Sequence, residues 1–144
     1  MADNYKDTAY RMYESSIVLY NNNFWFNSNY LAGYVLECYC KLILSYTLEQ
    51  GESLSQDNIR RYSHNIASMR NEIDLILQGE GVASQYCMDL SSECNNIIMN
   101  WNPNLRYEST THILNDSTLA NEINKEIEKL MGIILKMEVD GVIG

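Results

Sequence analysis

The sequence predicts an all-α fold, and three observations support this class. Apolar side chains recur at helical spacings in several separate stretches, and no stretch sustains the alternation typical of a strand. Proline occurs once, at Pro103, and no Pro-, Gly- or Ser-rich linker divides the 144 residues. We therefore expect one domain, residues 1–144, built as an antiparallel up-and-down bundle of four long helices and one short helix.

The first two helices are separated by an asparagine-rich turn. One face of the first helix carries the side chains Tyr10, Tyr13, Ile17 and Tyr20. Residues 21–23 are all asparagine, which favours turns over helix interiors, so the first helix ends there. The second helix runs from about Asn27 to Gln50, where we expect Gly51 to supply a left-handed C-terminal residue.

Two further helices are predicted between Gly51 and Pro103. A shorter third helix, closed near Gly79, follows from the spacing of Ile66, Met69, Ile73 and Ile76. A fourth helix follows from the spacing of Cys87, Leu90, Cys94, Ile97 and Ile98. It must stop before Pro103, because the residue that precedes a proline is pushed away from helical angles.

The last helix has the clearest periodicity. Its apolar positions are Leu119, Ile123, Ile127, Leu130, Ile134 and Met137. Asp116 or Ser117 is its predicted cap, and residues 140–141 mark its end. Its charged residues are expected to form a solvated face and not a binding patch: Glu122, Lys125, Glu126, Glu128, Lys129 and Lys136.

Composition narrows the function classes. The net charge of -9 and the pI near 4.6 argue against a broad basic face for nucleic acid, although a small basic cluster remains compatible with them. The four cysteines contain no Cys-x-x-Cys pair, so reduced thiols in the core are expected. With two histidines and no Gly-rich phosphate loop, we predict neither a metal site nor a cofactor. The polar N-terminus and the lack of a long apolar run predict a cytoplasmic protein without a membrane segment.

Glu37 and Lys41 stand one helical turn apart in the otherwise apolar second helix. A glutamate four residues before a lysine is the favourable order for a helical ion pair. The pair either forms a salt bridge on one wetted face or is a structural ion pair inside the bundle, and the sequence leaves both interpretations open.

The stretch that contains this pair resembles the second helix of HEPN domains. The resemblance rests on Ala32-Gly33-Tyr34 before Glu37 and Lys41, on Ser63-His64-Asn65-Ile66 at the third helix, and on Leu105-Arg106-Tyr107 before the last helix. It extends from about Tyr10 to Met137. It implies a HEPN-like bundle that commonly forms homodimers, which we expect to be isologous.

The resemblance also implies chemistry at the third of these landmarks. Many HEPN proteins are metal-independent ribonucleases that carry an arginine followed four to six residues later by a histidine. Arg106 and His112, with five residues between them, fit that pattern as catalytic candidates. A histidine moves protons near neutral pH, and an arginine holds a phosphate bidentately. Tyr107 departs from the pattern, because the active nucleases usually have a small polar residue there.

The alternative interpretation of this landmark is structural. Arg106 would pair with a carboxylate of the bundle, Tyr107 would pack over the core, and His112 would lie on the surface near a helix start. Thr110 and Thr111, which disfavour a regular helix, stand between the two candidates.

His64 also allows two interpretations. It either hydrogen-bonds at the start of the third helix or lines a phosphate- or nucleotide-binding site with Arg60 and Arg61, with Arg70 about one element away. The aromatic run at residues 24–26 and Trp101 can either stack on bases or close the ends of the core.

Two functions follow from the resemblance. The chain is either a dimeric metal-independent endoribonuclease of the toxin–antitoxin or defence type, or a non-catalytic HEPN module. The first would act on RNA and have an antitoxin as a partner. The second would bind a nucleotide or a protein such as a nucleotidyltransferase-like partner.

Overall fold

The computed structural model describes residues 4–50, 56–109 and 112–144, with residues 56–58 as backbone only. Within these ranges every regular element is helical and no strand occurs, so the predicted all-α class is confirmed. The α-helices are α1 (Tyr5–Asn21), α2 (Trp25–Glu49), α3 (Gln56–Arg61), α4 (Ile66–Gln78), α5 (Leu90–Glu93), α6 (Asn95–Asn100) and α7 (Ser117–Val139). Short 3-10 helices lie at Val82–Tyr86 and Pro103–Tyr107.

α2 lies at the centre of the bundle, where it contacts α1, α4 and α7. The turn before it includes Asn23, whose φ of 66° lies in the left-handed region that asparagine tolerates. Because this turn is short, α1 and α2 run antiparallel. Ser16 and Ser28 join them, since each hydroxyl donates to the other residue's carbonyl, at 2.8 and 2.9 Å. The predicted break at residues 21–23 is confirmed.

Side-chain oxygens cap three of the helices. Asn4 accepts from the third residue of α1 at 3.0 Å, and Asn65 accepts from the third residue of α4 at 3.1 Å. Asp116 accepts from Leu119 N–H at 2.7 Å, which identifies it as the cap of α7. Each contact satisfies a backbone N–H that has no partner within its own helix. α4 ends beside Gly79, as the sequence predicts.

The predicted fourth helix is wrong as a single long element. Residues 87–89 are not helical, and two short helices, α5 and α6, meet at Cys94. The backbone of Cys94 (φ -127°, ψ 34°) is not helical. The apolar spacing still identified the core, because Leu90, Cys94 and Ile97 are all buried. Among the described residues, three of the four expected long helices are present as α1, α2 and α7, α4 is the expected shorter helix, and the short helices α5 and α6 replace the fourth long one.

Glu126 explains this break and corrects a second expectation. Glu126 is buried and not part of a solvated face. Its carboxylate accepts hydrogen bonds from the Asn96 and Ile97 backbone N–H groups, both at 3.0 Å, and from the Asn96 side chain at 2.8 Å. In an unbroken helix these backbone groups would donate to carbonyls four residues earlier. Glu126 on α7 therefore replaces those partners and starts α6 anew.

The four thiols are free, and three of them are buried. Burial raises the pKa of Cys38, Cys87 and Cys94 to about 12, and that of Cys40 well above its ordinary value. The expectation of core thiols is thus met by Cys38, Cys40 and Cys94, while Cys87 is half-buried.

The sequence did not predict the short helix α3. The expected role of Gly51 as the C-terminal residue of the second helix lies outside the described residues.

Candidate functional site

An open groove lies at the end of the bundle where α1 turns into α2. Residues 23–27 form one wall, and Arg106, Glu108 and Asn115 form the other. We call it the aromatic groove, because residues 24–26 are Phe, Trp and Phe; Phe24 is 60% exposed. Its volume is about 440 Å³, within the range of small-molecule sites, about 300–1,000 Å³.

Arg106 lies in this groove, and His112 contacts one of the residues of its wall. Arg106 lines the groove with Phe26, and its guanidinium lies 4.8 Å from the centre of the Tyr107 ring. The His112 ring packs edge-on against Phe26, with 6.1 Å between the ring centres. Tyr107 is 76% exposed, so the alternative in which it packs over the core is wrong. Thr110 and Thr111 lie outside the described residues.

A chain of hydrogen bonds fixes the His112 ring. Asn29, buried in α2, donates from Nδ2 to the Leu114 carbonyl at 2.8 Å. The Leu114 N–H in turn donates to His112 Nδ1 at 3.0 Å. Nδ1 can accept this bond only while it carries no proton, so neutral His112 holds its proton on Nε2. His112 Nε2–H is therefore a hydrogen-bond donor.

Farther along α2 from the groove, three aromatic residues form a cluster: Tyr30, Tyr34 and Trp101. The Tyr34 and Tyr30 hydroxyls lie 2.8 Å apart, and Tyr30 donates to the Pro103 carbonyl at 3.1 Å. Trp101 Nε1–H donates to the Tyr30 carbonyl at 2.7 Å. A Cβ on Gly33 would lie 2.1 Å from the Trp101 ring, so the close packing of this ring on α2 requires glycine.

Tyr34 connects the groove with the charged part of α2. Burial raises its pKa well above the ordinary value, and the hydrogen bond with Tyr30 adds to this rise. The charge of Glu37 acts in the same direction, whereas the charge of Arg106 acts in the opposite one. The Tyr34 hydroxyl is thus close enough to Arg106 and Glu37 to experience the charges of both.

Glu37 and Lys41 form an ion pair inside the bundle, with 3.6 Å between Glu37 Oε2 and Lys41 Nζ. Both residues are buried, which excludes the interpretation of a salt bridge on a wetted face. The second carboxylate oxygen of Glu37 contacts His64 Nδ1. A carboxylate paired with lysine can only accept, so Nδ1 of His64 carries a proton and donates to Glu37.

His64 also lines a second cavity, of about 240 Å³, between the start of α4 and the segment at Trp101 and Asn102. Arg70, one turn into α4, lines it as well, and we call it the Arg70 pocket. Arg60 and Arg61 are exposed on α3 and are not among its lining residues. Of the three residues predicted to bind phosphate, the structure therefore places His64 at a cavity, together with Arg70.

Two residues of these regions, Asn29 and Glu126, escaped sequence reasoning as functional or structural candidates, and Arg70 was considered only as a neighbour of Arg60 and Arg61. Asn29 carried a signal, because a polar residue inside a buried helix needs a partner. Glu126 carried one too, because it lies seven residues after Leu119 and four before Leu130, on the apolar side of the last helix. Among the described residues, no group of three or more His, Cys, Asp and Glu side chains is placed to hold a metal ion.

In the described ranges, no helix has both the length and the apolar character needed to cross a membrane. Comparison of the chain with protein-family models, with curated proteins and with solved structures gave no match.

Proposed function

We propose that this chain is a HEPN-like binding module that takes a nucleotide in the aromatic groove. The observation that carries the proposal is the placement of Arg106 and the exposed Phe24 ring in one groove, with the oriented His112 ring packed against Phe26 of its wall. Aromatic faces stack on nucleobases, and a guanidinium pairs with a phosphate. Each feature alone is common, but together they supply partners for both halves of a nucleotide.

The fixed ring of His112 favours binding over proton transfer. A general base at Nε2 needs a free lone pair there, but neutral His112 carries its proton on Nε2 because Leu114 N–H donates to Nδ1. The ring must therefore leave Leu114 before it can accept a proton from a ribose hydroxyl. In its present position it is suited to donate a hydrogen bond to a phosphate or carbonyl oxygen.

The net charge of -9 sets a further expectation for this function. Binding depends on few basic groups, so affinity for nucleotides and for single-stranded RNA is expected to be weak and to fall steeply with salt.

The test is a titration with uridine monophosphate, with uridine as the phosphate-free probe, followed by tryptophan fluorescence, because Trp25 lines the groove. Arg106→Gln is expected to weaken binding of the nucleotide at least tenfold and to leave that of the nucleoside unchanged. Phe24→Ala, at an exposed position, should weaken both. Arg61→Gln, an exposed arginine outside the groove, is the matched control. Equal affinity of all variants for the nucleotide would reject the proposal.

A metal-independent endoribonuclease is the second candidate, favoured because Arg106 lines the groove with Phe26 and His112 packs against the same ring. In this mechanism the ribose 2′-oxygen attacks the phosphorus and the P–O5′ bond breaks, which leaves a 2′,3′-cyclic phosphate and a 5′-hydroxyl. The arginine stabilises charge on the phosphate, and the histidine moves the proton from the 2′-hydroxyl or to the leaving oxygen. His112→Ala and Arg106→Ala should each abolish cleavage of labelled single-stranded RNA in EDTA, and the double variant should lose little more. Equal background cleavage by all the proteins would leave the binding module.

We also propose an isologous homodimer. Leu135 and Val139, one turn apart on α7, are 50% and 77% exposed. Adjacent exposed apolar side chains on one helix suit a second copy of the chain. Sedimentation should give a dimer that Val139→Glu dissociates; a monomer at tens of micromolar wild-type protein would contradict this.

A further inference from the structure

The Arg70 pocket lies apart from the aromatic groove, and none of its lining residues is shared with the groove. The start of α4 forms one side, and Trp101 and Asn102 form the other. Its volume of about 240 Å³ is below the usual range for drug-sized ligands. The cavity therefore suits a small polar group, or the end of a longer ligand.

Arg70 is a cation without a counter-ion in the described part of the chain. Asp74 stands four residues later on α4, the usual spacing of a helical ion pair, yet the two side chains form none. Among the described residues, the one hydrogen bond of Arg70 is a long contact with the neutral Asn71 side chain, at 3.5 Å. Its Nε is buried and has no hydrogen-bond partner within the same ranges. A chain with an excess of acidic residues thus leaves this guanidinium for an external anion.

His64 supplies the second group of the pocket. Glu37 holds its Nδ1, so Nε2 is the ring nitrogen left to interact with a ligand. The Tyr34 ring packs edge-on against it, with 5.9 Å between the ring centres, which further restricts its orientation. In the imidazolium form, Nε2–H donates; in the neutral form, Nε2 accepts from a protonated ligand oxygen.

We propose that the Arg70 pocket binds a phosphate group, with Arg70 pairing with its oxygens, His64 Nε2 hydrogen-bonded to it and Glu37 positioning His64. Near neutral pH a phosphate carries both acceptor oxygens and a partly retained proton, so it matches His64 in either form. The first turn of α4 adds a partial positive charge, but Arg70 and the oriented histidine carry the assignment. Arg70 thereby takes the role that the sequence suggested for Arg60 and Arg61.

The test uses inorganic phosphate as the probe at constant ionic strength, with binding read from the phosphorus NMR line width. We expect saturable binding that Arg70→Gln weakens at least tenfold. Asn102→Asp keeps the side-chain oxygen that accepts from Asn104 N–H, adds a negative charge at the pocket, and should also weaken binding. If circular dichroism shows that Arg70→Gln is unfolded, Asn102→Asp still tests whether the pocket binds phosphate. Arg61→Gln, at an exposed position outside both cavities, is the control and should change affinity less than twofold. Arg106→Gln reports any phosphate that binds in the aromatic groove instead.

Three outcomes would reject the proposal. Equal binding by the wild type, Arg70→Gln and Asn102→Asp would show a general ionic effect, and no saturation with the wild type would show no site. Loss of binding in Arg106→Gln alone would move the phosphate to the aromatic groove.

A second arm compares uridine monophosphate with uridine in the Phe24→Ala background. If binding of the nucleotide also depends on Arg70, the pocket takes phosphate esters as well as the free anion. If only inorganic phosphate depends on Arg70, the pocket takes the free anion alone. Because Arg70 and Arg106 are tested separately, failure here leaves the proposed function untouched.

Discussion

The two histidines of this chain are held at the same ring atom by opposite kinds of partner. His64 donates from Nδ1 to the buried Glu37 carboxylate, whereas His112 accepts at Nδ1 from the Leu114 backbone N–H. In the neutral state His64 therefore presents a lone pair at Nε2, and His112 presents an N–H there. The atom that contacts Nδ1 thus decides, for each histidine, whether Nε2 accepts or donates a hydrogen bond.

This difference changes which histidine suits which chemistry. The resemblance to HEPN domains directs attention to His112, but His64 has the arrangement in which a carboxylate orients a histidine for proton acceptance. Tyr34 interacts with both regions. The charge of Arg106 acts to lower the pKa of its hydroxyl, and its ring packs against His64.

The largest effect is expected for Glu37→Ala. It removes the carboxylate partner of both Lys41 and His64 and leaves a buried ammonium with the Tyr5 ring, whose centre lies 5.5 Å from Lys41 Nζ, as its remaining described contact. We expect the free energy of unfolding to fall by about 3–5 kcal/mol, measured by chemical denaturation. Lys41→Ala should be milder, about 1–3 kcal/mol, because Glu37 keeps His64 as a partner.

Glu122→Ala is the control for this prediction. It removes an ion pair with Lys125, at 3.4 Å, in which both side chains are about half exposed or more. Surface pairs of this kind contribute little, so no measurable change is expected. If Glu37→Ala were as mild as Glu122→Ala, the Glu37–Lys41 pair would not be the internal ion pair described here.

The fold was largely predictable where one helix face carries the apolar side chains. The spacing along α4 and α7, with Gly79 after the first and the predicted cap Asp116 or Ser117 before the second, gave both elements to within a residue or two. The same spacing failed between Cys87 and Ile98, because it reports which residues are buried and not whether the backbone between them is continuous. The break depends on Glu126, thirty residues away, and a single helix pattern contains no such information.

The candidate sites were less predictable, for a similar reason. Sequence spacing identified Glu37 with Lys41, which are neighbours on one helix. The partner of Glu37 across the bundle, His64, is set by how α2 packs against the start of α4. Likewise, Arg70 has Asp74 at the spacing of a pair, yet it lines a cavity instead. Contacts between helices decide these cases.

Asn29 tests the His112 side of the comparison. Asn29→Ala removes the donor to the Leu114 carbonyl, but it also removes the buried Oδ1, which has no hydrogen-bond partner among the described residues. The two effects partly offset, so we expect a loss of about 1 kcal/mol in unfolding free energy. Asn29→Asp should be more damaging, because it places a carboxylate against a carbonyl oxygen. Faster amide exchange at Leu114 in Asn29→Ala would link the loss to the His112 segment; unchanged exchange would contradict the link.

The thiols make the free energy of unfolding depend on pH. Burial raises the pKa of Cys38, Cys87 and Cys94 to about 12 from an ordinary 9.0. The folded chain therefore keeps protons that the unfolded chain releases, and this stability, present below pH 9, is lost as pH rises toward 12. Between pH 5 and 8, where histidines titrate, the thiols should stay silent. A thiol reagent at pH 8 should modify the buried cysteines only after denaturation; rapid reaction of the native protein would contradict this.

The smallest effect, the position of one proton, is the most direct test of the comparison. Nitrogen-15 NMR distinguishes the two neutral tautomers of histidine by the shifts of Nδ1 and Nε2. At a pH where both rings are neutral, His64 should carry its proton on Nδ1 because it donates to Glu37, and His112 should carry its proton on Nε2. Glu37→Gln weakens the preference of His64, since an amide oxygen is a poorer acceptor than a carboxylate, and should leave His112 unchanged. The same tautomer at both rings would remove the distinction, and a proton on Nδ1 of His112 would restore it as a candidate general base.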